Sequence, residues 1–412
     1  MTQNILRYLE SVGYLYTLFS MKFQKILFLA FFLPAFSISH FGCSQMDYKA
    51  TQNLTTDSLV HINNLTDSLV LKLEDTTLSS VADNSKKQIL QIIGVGDMMF
   101  GTNFPSAAHL PPNDGKNLIS EVDSILKSAD ITFGNLEGVV LNQGGQVKNC
   151  SNPAICYAFR MPEKLVEDVL KQGGFDVVSI ANNHVGDFGS VGRANGERFL
   201  KSIDIEYAGL VTSPYTIFEK EGIKYGFAAF APNSGTMDIR DIKTAEAIVR
   251  KLNDSCDVVI VSFHGGAEGR NMQHVTRKTE TFYGENRGNV YAFSHAMIDA
   301  GADIIFGHGP HVTRAMEVYK DRFIAYSLGN FCTYDRFSLS GVSGLAPIVN
   351  IKIDNEGKFI SGQITPIIQL GRGGVTIDKQ KKVISIIQNL TKTDIPEGSI
   401  EITDSGDILK KK

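Results

Sequence analysis

The sequence predicts an α/β protein: a layered sheet with helices on its faces. Two observations carry that prediction. From residue 89 onward, short apolar runs alternate with amphipathic stretches, the order that builds βαβ units. Five of the runs also end in small polar clusters: Gly96-Asp97, Gly134-Asn135-Leu136-Glu137, Asn182-Asn183-His184, His264-Gly265-Gly266-Ala267-Glu268 and Gly307-His308-Gly309-Pro310-His311. Polar side chains that follow buried parallel strands emerge together at one edge of an α/β sheet, where ligands bind.

The strand-forming runs that feed these clusters are Ile89–Val95, Ala129–Phe133, Phe175–Ile180, Asp257–Phe263 and Ala302–Phe306. Helical periodicity falls on Leu118–Lys127, Pro162–Gln172, Gly192–Ser202, Thr244–Asn253 and Asn289–Ala300. Tyr207–Leu210, Tyr215–Glu219 and Gly222–Phe230 lie closer together, which predicts hairpins and some antiparallel pairing. Arg322–Leu328 and Pro347–Ile353 continue the strands, and the turn Asp354-Asn355-Glu356-Gly357 leads into Phe359–Gln369. Lys379–Leu390 reads as a closing helix and Thr391–Lys412 as a frayed tail.

Upstream of this pattern the chain changes character. Met21-Lys22-Phe23-Gln24-Lys25 is a short basic start, and Ile26–Ser37 is an apolar run interrupted by Pro34. That run is shorter than the roughly 20 residues a spanning helix needs and close to a signal-peptide core. Phe41-Gly42-Cys43 is similar to a lipoprotein cleavage box, with Cys43 the lipidated residue, although His40 stands where such boxes prefer Leu. The expectation is export to the cell envelope as a membrane-anchored lipoprotein; the alternative is a periplasmic or extracellular protein after signal cleavage. Residues 45–87 are rich in Ser, Thr, Asn and Asp and read as a tether. The chain thus divides into a leader (1–42), a polar tether (43–88), a chemistry-bearing domain (89–370) and a C-terminal extension (371–412).

Composition narrows the function. The chain has 412 residues, is 43% hydrophobic and 20% charged, and carries a formal net charge of −4. A globular domain follows, and a nucleic-acid-binding surface is excluded as the expected partner. Trp is absent, which disfavours a sugar-stacking envelope protein. Apart from Cys43 there are four cysteines. Cys150 and Cys156 flank a polar loop, where a local disulfide fits an oxidising compartment. Cys256 and Cys332 sit against strand runs and read as small buried apolar residues.

Carboxylates, a carboxamide and imidazoles that converge on one sheet edge form a divalent-metal site. Asp97 ends a strand behind Gly96, and Glu137 lies just past another, where a carboxylate is costly unless paired or metal-bound. Asn135 beside it either contributes an oxygen or caps the turn. Asn183 offers a neutral oxygen ligand, and the adjacent His184 points to the other side of the chain as a proton donor, with Asp187 placed to orient it. His264, His308 and His311 supply imidazoles, the last two across the tight turn at Gly309 and Pro310. Glu268, Arg270 and Asn330 are candidate substrate contacts; Arg277, Arg287 and Arg314 flank the same clusters and suit an anionic group. His274 and His295 read as packing residues. Ser327 lacks the Gly-x-Ser-x-Gly elbow of a serine nucleophile.

With these clusters assembled, the stretch from about Leu90 to Gln369 resembles the CapA-type capsule-biosynthesis proteins of the poly-gamma-glutamate synthesis family. The similarity runs through Gly96-Asp97, Gly134-Asn135-Leu136-Glu137, Ala181-Asn182-Asn183-His184, His264-x-Gly-x-Glu268, Asp299-Ala300-Gly301-Ala302-Asp303, Gly307-His308-Gly309-Pro310-His311 and Tyr326-Ser327-Leu328-Gly329-Asn330-Phe331. That family is related to the calcineurin-like metallophosphoesterases, so the resemblance implies a four-layer sandwich of two mixed sheets flanked by helices. It also implies one or two divalent ions (Mn, Fe, Zn or Mg). Asp97 and His311 would hold one, Asn183, His264 and His308 the other, Glu137 with Asn135 would bridge, and His184 would be the general acid. Two departures weaken the first site: Met99 replaces a metallophosphoesterase His, and the bridging Gly-Asp has become Gly-Asn-Leu-Glu. Gly309 takes a place often filled by His in the family, and Gly269–Gly288 reads as a specificity loop.

The expected function is a metal-dependent hydrolase or transferase of capsule or poly-gamma-glutamate biosynthesis, acting on an anionic polymer or phosphoester-type substrate. The alternative is a non-catalytic tethered subunit of a polymer synthesis or export complex.

Overall fold

The computed structural model describes residues 89–150 and 156–411. The leader, the tether and Cys43 lie outside them. Along the chain, β1 (Leu90–Met99) is followed by the single turn α1 (Asp123–Leu126), β2 (Ile131–Leu136), α2 (Glu163–Gly173), β3 (Val177–Ser179), α3 (Gly189–Ser202) and β4 (Glu206–Ala208). The hairpin β5 (Tyr215–Lys220) and β6 (Ile223–Phe230) leads to α4 (Ile242–Asn253), β7 (Val258–His264), α5 (Val290–Asp299) and β8 (Ile304–His308). Then come β9 (Met316–Tyr319), β10 (Arg322–Ala325), β11 (Asn330–Thr333), β12 (Leu345–Ile353), β13 (Phe359–Gln369), β14 (Val375–Ile377), α6 (Lys382–Asp394), β15 (Ile400–Ile402) and β16 (Asp407–Lys410).

The larger sheet has ten strands in the order β15-β16-β13-β12-β1-β2-β3-β4, with β11 beside the end of β1 and β14 beside β13; the smaller has six in the order β9-β10-β8-β7-β6-β5. β1, β2, β3 and β4 run parallel, as do β6, β7, β8 and β10. β1, β2, β7 and β8 are almost wholly buried, and their sequences accordingly read as largely apolar runs rather than alternating ones.

Three apolar clusters define four layers. One joins β1 and β2 to α2 and α3, a second fills the space between the sheets, and a third joins β6, β7 and β8 to α4 and α5. The expected two mixed sheets flanked by helices are present. α2 buries Leu165, Val166, Val169 and Leu170 on one face and ends on Gly174 in the left-handed conformation. The Asp241 side chain caps α4 by accepting from Thr244 N–H.

Two expectations are corrected. Leu118–Lys127 is helical only over Asp123–Leu126; Leu118, Ile119 and Val122 reach the core through successive tight turns instead. Thr391–Lys412 is not a frayed tail. α6 continues to Asp394, and β15 and β16 form a hairpin that pairs with β13, burying Ile400, Ile402 and Ile408. A run as short as Ile-Glu-Ile carries too little alternation to show its buried face before a neighbour covers it.

Between the two parallel strands β7 and β8, the buried Asp303 accepts from Val259 N–H at 2.7 Å and faces Arg322 at 3.3 Å. Burial pushes its carboxyl up to about 6, above the 3.8 of an ordinary aspartate. The folded state therefore holds this proton more tightly than the unfolded one. Its stabilising contribution is complete below the unfolded value and is lost as pH rises to about 6. Asp303→Asn keeps the oxygen for Val259. Between pH 4 and pH 7 the variant is expected to lose about 2–3 kcal/mol less stability than the parent, read from urea midpoints.

Candidate metal centre

Register brings the polar residues together. At the end of β1, Asp97 stands opposite Asn135 of β2 on one side and Asn330 of β11 on the other. In the second sheet His308 of β8 stands opposite His264 of β7. His264 and His308 are the last members of their strands, Asp97 and Asn135 lie within two residues of the ends of theirs, and Asn330 opens β11, so none is a loop residue. Pairing slips on both sides of β1 around Asp97, a bulge that re-aims the side chain. Gly96 permits this: a Cβ there would lie 2.0 Å from the Gly329 carbonyl oxygen, the group to which Asp97 N–H donates at 2.9 Å.

Glu137 is the hub. Its Oε1 lies 3.5 Å from His311 Nε2, 3.6 Å from His264 Nε2 and 3.9 Å from His184 Nε2. Around it, His311 Nδ1 meets Asp97 Oδ2 at 2.9 Å, and Asn135 Nδ2 donates to Asp97 Oδ1 at 2.8 Å. Asn182 ties the next segment in: Nδ2 donates to the Leu136 carbonyl at 2.9 Å, and Oδ1 accepts from His184 N–H at 3.1 Å. His184 Nδ1 pairs with Asp187 Oδ2 at 2.8 Å, and its ring packs on Phe159 with centroids 4.3 Å apart. His311 sits at φ 56°, a left-handed backbone unusual for a residue with a side chain.

Burial sets the charges. It pushes the Glu137 carboxyl well above the usual carboxylate range and holds the His264 and His308 imidazoles below theirs. For His311 burial acts the same way, but the Glu137 and Asp97 carboxylates outweigh it and push the imidazole up to about 10. Asp97 is held low: burial would raise it, and the hydrogen bond and charge of His311 prevail.

The fit of a cation to these residues follows from their unmet valence. Both Glu137 oxygens, Asn183 Oδ1 and both His264 ring nitrogens are buried without a hydrogen-bond partner. Each such group is costly unless a ligand completes it. One ligand atom each from Glu137, His264 and His311 lies within 4.8 Å of the others, so the three could hold a metal ion. The mixed nitrogen and oxygen set suits first-row divalent ions.

Residues 91–335 match the family described as "Bacterial capsule synthesis protein PGA_cap". The chain belongs to that family. It is 30% identical over 247 residues to the "Capsule biosynthesis protein CapA" of Bacillus anthracis, covering 58% of this chain and 58% of that protein. It is 28% identical over 352 residues to the "PGA biosynthesis protein CapA" of Bacillus subtilis (strain 168), covering 79% of this chain and 85% of the relative. Among solved structures, it is similar to the calcineurin-like phosphoesterase YfkN of Bacillus subtilis with a TM-score of 0.39 and 12% identity, over 76% of this chain and 99% of that one. What these comparisons establish for the chain is its membership of the PGA_cap family.

Within this PGA_cap chain the remaining candidates separate. His308 keeps both ring nitrogens in protein contacts, Nε2 at 3.0 Å from the Val95 carbonyl and Nδ1 at 3.4 Å from Ser262 Oγ. It stands beside the triad rather than in it. Glu137 instead draws together His264 and His311, which the resemblance had divided between two ions. Asn330 Nδ2 donates to the carbonyls of His311 and Ser343 and holds the His311 turn. Glu268 pairs with the buried Arg287 at 2.9 Å, and Arg287 exerts its charge on Glu137 and His264. Arg270 is exposed and bonds to Ser338 and Ser340. Arg314 makes a buried two-pronged pair with Glu280, and Arg277 pairs with Glu397; both fasten the scaffold. At Gly309, φ is 116° and a Cβ would lie 2.5 Å from the Gly265 carbonyl oxygen, so this turn admits no side chain. Cys150 and Cys156 are disulfide-bonded as expected, and Cys332 is buried.

Three residues at the site carry no sequence signal: Phe159, which packs on His184, Lys148, which reaches Asp187 at 2.6 Å, and Ser262, which faces His308.

Proposed function

We propose that this chain is an exported, metal-dependent hydrolase or transferase that acts on an anionic polymer or phosphoester-type substrate in capsule or poly-gamma-glutamate metabolism. One observation carries the reading: a buried Glu137 carboxylate without a hydrogen bond faces three imidazoles, and one of these, His184, is steered by its own buried aspartate. Glu137, His264 and His311 would hold a divalent cation (Mn, Fe, Zn or Mg), with Asn183 Oδ1 the nearest further unpaired oxygen donor in sequence to His184. Such an ion supplies Lewis-acid polarisation and a more acidic water.

The chain's own residues do the rest. A carboxylate only accepts, so Asp187 leaves the proton on His184 Nδ1 and turns Nε2 toward Glu137. When Nε2 is protonated as well, His184 hands that proton to the leaving oxygen of the substrate and is left as the Nδ1-protonated imidazole. The buried Arg287, neutralised in part by Glu268, favours an anionic group on that side. The Cys150–Cys156 disulfide supports an oxidising, exported setting, with a lipid anchor at Cys43 as the membrane attachment.

The test is hydrolysis of 4-nitrophenyl phosphate and of a gamma-linked glutamate oligomer, each with and without Mn²⁺. Expected is ion-dependent turnover of one of them that His264→Ala removes; turnover indifferent to that change sinks the reading. A second reading, a non-catalytic accessory subunit, is favoured by Asp97, whose two oxygens are already bonded to Asn135 and His311 and which lacks a histidine at Met99. Stoichiometric metal with no turnover of either substrate would select it.

A further inference from the structure

We propose that Lys148 is a positioning residue that acts through Asp187 on His184, and that the Cys150–Cys156 disulfide closes the segment that presents it. The inference rests on the reading of His184 as proton donor.

Asp187 is fully buried and its two carboxylate oxygens do different work. Oδ2 takes His184 Nδ1 at 2.8 Å and Phe159 N–H at 2.7 Å. Oδ1 faces Lys148 Nζ at 2.6 Å, and Lys148 N–H donates to the Asp187 main-chain carbonyl at 2.8 Å. The lysine is therefore docked at two points, with its side chain 29% exposed. A buried carboxylate with only neutral donors is poorly compensated, and the ammonium group supplies the opposite charge. It also fixes the plane of the carboxylate, and hence the direction from which Oδ2 meets the imidazole.

Lys148 and Phe159 bracket the disulfide, whose Cα atoms are 5.9 Å apart. One arm brings the ammonium group to Oδ1. The other brings the Phe159 N–H to Oδ2 and its ring against His184. The crosslink ties these arms together, so the geometry of Asp187 and His184 depends on a covalent closure outside the centre itself.

Histidine nitrogen NMR on ¹⁵N-histidine-labelled, metal-free protein tests this without turnover, with the His184 signals assigned by their loss in His184→Gln. Expected in the parent is the Nδ1-protonated tautomer. Lys148→Met shifts His184 toward a mixture of tautomers, Lys148→Arg retains the parent pattern, and Cys150→Ser with Cys156→Ser moves it in the same direction as Lys148→Met. In the hydrolysis assay Lys148→Met lowers kcat about tenfold at unchanged KM. His184 signals unchanged in Lys148→Met overturn the role of the lysine, and unchanged signals in the cysteine variant overturn that of the disulfide. Absent turnover in the parent would defeat the hydrolase reading while leaving the spectroscopic result to decide this one.

Discussion

Glu137→Gln removes most of the stabilisation that a divalent cation gives this protein. The parent, at an ion concentration 100 times its Kd, gains about 2.7 kcal/mol. Gln keeps the shape but loses the charge that faces His264 and His311. An affinity weakened about 100-fold leaves a gain of only about 0.4 kcal/mol at the same concentration. Without metal the two proteins are expected to differ little, because Gln removes a carboxylate that lacks hydrogen bonds but also withdraws the charge that holds the His311 imidazole high. Thermal unfolding of both proteins in chelator and in Mn²⁺ reads both effects. An equal Mn²⁺ shift in the two would remove Glu137 from the metal site.

His184→Gln is expected to separate chemistry from metal binding. His184 Nε2 is 3.9 Å from Glu137 and is the imidazole whose other nitrogen is committed to Asp187, so it faces the centre without belonging to the triad. Its loss should lower kcat by about 10²–10⁴-fold, the usual span for a positioned proton donor. The Mn²⁺ shift in unfolding temperature should stay as in the parent. A large loss of that shift would instead make His184 a ligand, and undiminished kcat would assign protonation of the leaving group elsewhere.

Much of this site is legible in the chain because each cluster ends an apolar run, and a parallel sheet delivers such ends to one edge. Asp97, Asn135, His264 and His308 fall where that rule puts them, within a residue or two of the strand bounds. Glu137, His184 and Asp187 follow for the same reason. Lys148 and Phe159 are not legible, since they reach Asp187 from a loop whose path is set by a crosslink and by packing. The two strands after α6 escape as well, because segments of three and four residues show a buried face only once β13 and each other cover them.

The sequence by itself determined the α/β class, the order of strands and helices, and the residue types that meet at the sheet edge, because strand periodicity and polar strand ends are local properties. Only the tertiary structure decided which of those residues share a centre. Glu137 gathers His264 and His311 while the Val95 carbonyl occupies His308, a choice made by the register between strands and the bulge at Asp97. Distances between segments far apart in sequence depend on packing, and no local pattern encodes them.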